Sequence, residues 1–120
     1  MMPNSTVLTL PYPPTANNLF PTGKGGKRFI SPEYKVWKQA AGLMLNAQRP
    51  RPIPGAISAL YEFRKPDNRR RDVTNCEKAV SDLLVTHGVI EDDCLIEDIT
   101  LRWVYGTPWE ARVTVTGIEP

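Results

Sequence analysis

The chain has 120 residues, enough for one domain with a real core but close to the size at which association of copies helps stability. Hydrophobic residues make up 41% and charged residues 23%, values of an ordinary soluble globular protein rather than a fibrous or disordered one. The net charge of +2 decides nothing about partners, the two cysteines and one histidine are too few for a zinc site, and no apolar run approaches the roughly 18 residues of a membrane helix.

Residues 6–10, TVLTL, alternate and read as a short strand ending at Pro11. YPPTANNLFPTGKGGKRFI then has turn chemistry throughout, with a basic tip at Lys24, Lys27 and Arg28. Ser31-Pro32-Glu33 starts a helix: a capping serine, a proline in the first turn and an acid at the positive dipole end. Tyr34, Trp37, Ala40, Ala41, Met44 and Leu45 follow at helical spacing, and Val36, Leu43 and Ala47 add apolar surface on a neighbouring face. Either a dimer interface or a central position in the fold would cover that second face.

Prolines 50, 52 and 54 end the helix, and Ile57, Ala59, Tyr61 and Phe63 alternate along a strand from Ala56 to Arg64. After a basic loop from Lys65 to Arg71, the stripe Ala79, Val80, Leu83, Leu84 marks a second helix over 74–87, with Gly88 suited to the left-handed cap. Ile99, Leu101 and Trp103 share one face of a third strand that starts as early as Cys94, and Gly106-Thr107-Pro108 turns into a last strand, Ala111 to Thr116. The order β-α-β-α-β-β predicts one α+β domain over 1–120, a mixed sheet with two helices packed on it and the last two strands as an antiparallel hairpin. Cys76 and Cys94 lie in no C-x-x-C and read as reduced thiols, and no basic-then-apolar leader is present, which points to the cytoplasm.

Charge is segregated along this frame. Arg64, Lys65, Arg69, Arg70 and Arg71 crowd one loop, while EDDCLIED holds five of the thirteen acids. RRRDVTNCEKAV sets three arginines against Asp72 just before the second helix. Thr74 and Glu77 match a capping box, which explains both without chemistry and leaves Asp72 unexplained. Glu91-Asp92-Asp93 brings three adjacent acids together, a repulsion that a divalent cation such as Mg²⁺ would offset. Lys78 lies one turn from Thr74, where it would either pair with Asp82 or stabilise a phosphate transition state. With no nucleophile elbow, P-loop or dinucleotide fingerprint, metal-assisted phosphodiester hydrolysis is the chemistry this inventory fits.

LPYPPTANN, RRRDVTNCEKAVSDLL and HGVIEDDCLIEDITLRW, in that order from Leu10 to Trp103, resemble the RusA family of Holliday junction resolvases. The resemblance implies a small homodimeric Mg²⁺-dependent endonuclease of bacteria and their prophages, with Mn²⁺ able to substitute and branched DNA as its partner. In that family the middle motif reads arginines, then D-x-D-N, then a lysine, and a D-D pair follows. Carried over, Asp72, Asn75 and Lys78 match, with Asp72 and Asp93 as metal ligands and Asp92 beside them. The second aspartate of the motif is Thr74 here, a departure that Glu77, Asp92 or Glu91 would have to compensate. Arg69, Arg70, Arg71 and Lys65, together with the Lys24, Lys27 and Arg28 loop, would hold phosphates. A junction-binding protein of the same fold with weak or no cleavage is the alternative.

Distance adds a condition. A helix over 74–87 spans roughly 20 Å, and residues 88–93 reach about 17–20 Å if extended. Asp72 therefore meets Asp93 only if the chain runs back along the helix, or if the two come from different subunits.

Overall fold

The computed structural model describes residues 4–15 and 30–118. Its elements are β1 (Ser5–Leu10), α1 (Pro32–Ala47), β2 (Ile57–Arg64), a 3₁₀ turn (Val73–Cys76), α2 (Glu77–Thr86), a second 3₁₀ turn (Asp93–Leu95), β3 (Ile96–Val104) and β4 (Ala111–Gly117). The sheet has the order β1-β4-β2-β3. β4 runs antiparallel to both β1 and β2, whereas β2 and β3 are parallel. This is the expected α+β arrangement of a mixed sheet and two helices.

The expected hairpin of the last two strands does not form. β3 pairs with β2, and β4 inserts between β1 and β2. Burial accounts for the exchange. Ala111, Val113 and Val115 of β4 are all fully buried, as a central strand requires, while Ile99 of β3 is 39% exposed, as an edge tolerates. The third strand also starts later than Cys94, because residues 93–95 first make a 3₁₀ turn.

Both helices cover one face of the sheet. Leu8 and Leu10, the β2 series Ile57, Ala59, Tyr61, Phe63 and the β4 residues meet Tyr34, Trp37, Ala41 and Leu45 of α1 and Ala79, Val80, Leu83 and Leu84 of α2 in one core. The α1 cap forms as read from the sequence, the Tyr34 N–H donating to Ser31 Oγ at 3.1 Å. The second face, Val36, Leu43 and Ala47, stays outside, with Val36 67% and Leu43 75% exposed, and of the expected core stripe Ala40 and Met44 are exposed as well. Among the described residues, α1 is thus covered on one face only. The opposite face of the sheet carries Glu62, which is buried because Arg112 and Arg102 close over it at 2.9 and 3.6 Å.

Candidate active site

The start of the second helix differs from the capping box. Residues 73–76 wind as a 3₁₀ turn, the Asn75 N–H donating to the Asp72 carbonyl at 3.1 Å, and the α-helix proper begins only at Glu77. No side chain caps either segment. Thr74 is exposed, and Glu77 turns away from the backbone to accept a 2.6 Å hydrogen bond from Ser81. Tyr61 completes that chain by donating its hydroxyl to Ser81 Oγ at 2.8 Å, since the Ser81 proton is already committed to Glu77. Asp72 precedes the turn in extended conformation, and its carboxylate is not used as a cap.

Asp72 therefore projects into a cleft of about 620 Å³ at the end of the sheet. Lys65, Arg70 and Arg71 supply its cations, Asn75 and Thr15 its neutral polar groups, and Tyr12 and Trp103 its aromatic wall. Tyr12 and Trp103 stack with centroids 6.4 Å apart and planes 9° from parallel. Burial, and after it the Cys76 thiol 3.6 Å away, pushes the Tyr12 hydroxyl far above its ordinary value, so it remains a neutral donor. Arg71 is held in place by Asp67, Nε and Nη2 reaching its two carboxylate oxygens at 3.0 and 2.7 Å. That bidentate contact is the main reason the Asp67 carboxyl falls from 3.8 to about 2. Arg69 donates its backbone N–H to the same carboxylate at 3.1 Å, but its guanidinium comes only within 4.0 Å and its side chain is 82% exposed.

The later acids divide their work. Glu91 accepts the Gly55 N–H at 2.6 Å and Asp92 accepts the Cys94 N–H at 3.0 Å, so both serve backbone turns. The Cys94 backbone bond is the chief cause of a lowered Asp92 carboxyl. Asp93 goes the other way: its hydrogen bond with Asp92, desolvation, and the charges of Asp92, Asp82 and Glu77 raise it. It lines a second cleft of about 360 Å³ with Asp82, Tyr34 and Lys38. Lys78 lies 3.5 Å from Asp82, the i+4 pair foreseen as one of its two roles.

Asp72 and Asp93 thus line different clefts. Among the described residues no group of three or more His, Cys, Asp or Glu side chains is close enough to hold a metal ion. Lys24, Lys27 and Arg28 lie outside the described residues. The sequence reading missed Asp67 as the anchor of Arg71 and placed Tyr12 only within a loop, while Trp103 packs against the core from its strand face and also lines the cleft. The signal for Tyr12 was available: it follows β1 by two residues inside LPYPPT, where the prolines fix the direction of the exit.

Comparison with known proteins identifies the family. Residues 11–116 match the family model for endodeoxyribonuclease RusA. The crossover junction endodeoxyribonuclease RusA of Escherichia coli strain K12 is 31% identical over 120 residues, covering 97% of this chain and 99% of the relative. The protein of the same name from Enterobacteria phage 82 is 33% identical over 124 residues with the same coverage. The chain belongs to the RusA family of endodeoxyribonucleases.

Proposed function

We propose that this chain is a structure-selective endodeoxyribonuclease that resolves four-way DNA junctions by paired, symmetric nicks, acting as a homodimer in recombination and repair. Membership of an endodeoxyribonuclease family makes it a hydrolase of DNA phosphodiester bonds. One observation carries the reading furthest: Asp72 stands in a cleft whose other charges are Lys65, Arg70 and Arg71. Phosphate needs the cations, and the acid has no structural task there.

A divalent cation, Mg²⁺ with Mn²⁺ able to substitute, would supply electrophilic help and an activated water. Asp72, Asp93 and Asp92 are the carboxylates proposed to hold it. Because Asp72 and Asp93 line different clefts, this requires the clefts to close together or a second copy to bring its own acid. The exposed apolar stripe of α1 and the unpaired outer edge of β3 are surfaces such a copy would cover. The basic loop orients the backbone, with Arg71 pre-set by Asp67, and Lys78 offsets charge developing on the phosphate. Glu77, fixed by Ser81 and acting electrostatically on Asp93, is the carboxylate that would replace the motif's second aspartate.

The test is a labelled four-way junction with Mg²⁺ or Mn²⁺. Paired nicks are expected from the natural chain and none from Asp72→Asn; nicks that survive this change would refute the assignment. A second reading, junction binding without cutting, is favoured by the neutral, exposed Thr74 and by the absence of a three-acid group among the described residues. It predicts salt-sensitive binding, no nicks, and a large gain of cleavage on Thr74→Asp.

A further inference from the structure

The loop between β3 and β4, residues 105–110, carries Tyr105, which is 72% exposed to solvent. The loop is not a loose end. Arg64 Nη1 donates to the Thr107 carbonyl at 3.0 Å, and the Thr107 hydroxyl donates to the Trp109 carbonyl at 2.6 Å. The Arg112 guanidinium lies 4.5 Å over the Trp109 ring, and Arg112 is itself held by buried Glu62. Gly106, at φ +70°, makes the turn that follows Tyr105. A braced loop of this kind presents its exposed ring at low entropic cost.

Its location gives the ring a partner. The Lys65 N–H donates to the Val104 carbonyl at 3.0 Å, so the residue before Tyr105 is tied directly to a cation of the Asp72 cleft. Tyr105 stands one residue beyond the end of β3 at Val104 and two beyond Trp103, a wall of that cleft, so the loop it opens leaves the sheet beside the cleft. A nucleic acid whose phosphates occupy the cleft would bring its bases past this lip. The base in question must be out of its stack, because a paired base presents only its edge to a groove.

We infer that Tyr105 is a stacking platform for a nucleobase left unstacked at the branch of the bound DNA, an assignment that rests on the proposed reading of the Asp72 cleft. Phosphates held by Lys65, Arg70 and Arg71 set the register, and the ring adds discrimination for strands with exposed bases over continuous duplex. Stacking tolerates any base, so the contribution is to shape selectivity and not to sequence.

Binding of the natural chain, Tyr105→Ala and Tyr105→Phe is measured by fluorescence anisotropy, in EDTA to prevent cutting. The probes are an immobile four-way junction, a linear duplex of one arm's sequence and an oligothymidine. Loss of the ring weakens oligothymidine and junction binding roughly five-fold or more and duplex binding less than about two-fold, while the phenylalanine variant behaves as the natural chain. Equal affinities of the natural chain and Tyr105→Ala for oligothymidine and junction overturn the inference, as does a uniform loss on all three probes. If the natural chain shows no preference for the junction but Tyr105→Ala still loses oligothymidine binding, the junction reading falls and the stacking platform stands.

Discussion

Ser81→Ala probes a hydrogen-bonded polar chain inside the core and, through it, the posture of Glu77. Ser81 and Tyr61 are both buried, at 2% and 0% exposure. The serine hydroxyl receives a proton from Tyr61 at 2.8 Å and gives its own to Glu77 at 2.6 Å. Deleting it leaves the Tyr61 hydroxyl without a partner and without water, a cost of about 1–3 kcal/mol. Alanine returns about 0.5 kcal/mol of helix propensity on α2. The net loss is about 0.5–2.5 kcal/mol, which at about 2.1 cal/mol/K per residue over 120 residues lowers Tm by roughly 2–10 °C.

Adding Tyr61→Phe removes the orphaned hydroxyl, while Glu77 at the half-exposed end turns to water. The double variant is therefore more stable than Ser81→Ala alone, with a coupling of about 1 kcal/mol. Urea unfolding at constant m-value measures all three variants. Losses that simply add, to within about 0.5 kcal/mol, would refute the hydrogen-bonded chain as the source of the effect.

Two further outcomes follow from the charge pairs. Asp67 titrates near 2 because of Arg71, so in Arg71→Ala its carboxyl returns towards 3.8, read by NMR titration of the side chain. The folded-state value is depressed, so the stabilising contribution of this pair is complete above about 4 and is lost as pH falls towards 2. On the opposite face of the sheet, Arg112→Met leaves the buried Glu62 charge with Arg102 at 3.6 Å as its remaining partner, and costs about 2–3 kcal/mol. Glu62→Gln leaves two arginines that water already reaches, and costs about 1 kcal/mol. Chemical denaturation in which Glu62→Gln proved the worse of the two would reverse the assignment of which partner is the buried one.

Periodicity carried the fold where a single face decides burial. Ala79, Val80, Leu83 and Leu84 on α2 and Ile57, Ala59, Tyr61 and Phe63 on β2 are core residues as their spacing says. It failed where two strands compete for one neighbour. Ile99, Leu101 and Trp103 look as apolar as Ala111, Val113 and Val115, and chain proximity argues for pairing them. What separates them is that β4 offers small and branched residues that can be buried completely between two other strands, while β3 carries charges at Glu97, Asp98 and Arg102 that an edge accepts. The capping box failed for a different reason: the S/T-x-x-E match has an equally local competitor in the 3₁₀ turn, and Ser81, four residues beyond Glu77, claims its carboxylate.

That competition bears on the chemistry. A capping box would have tied Glu77 to the backbone beside Thr74, at the Asp72 end of the helix. The 3₁₀ start instead carries Asp72 out to the basic cleft and swings Glu77 to the side where Asp82 and Asp93 gather. The acids are thereby split into one that stands among arginines and a group around Asp93, whose carboxyl is raised by its hydrogen bond with Asp92, by desolvation and then by the neighbouring charges. Among the described lining residues, the Asp72 cleft has three cations and one acid, and the Asp93 cleft has two acids with Lys38 as its lining cation. A phosphodiester that needs cations on its oxygens and carboxylates near its phosphorus is served only when the two are brought together. The separation seen in one chain is thus the physical reason to expect that cutting, unlike phosphate binding, depends on closure of the clefts or on a second copy.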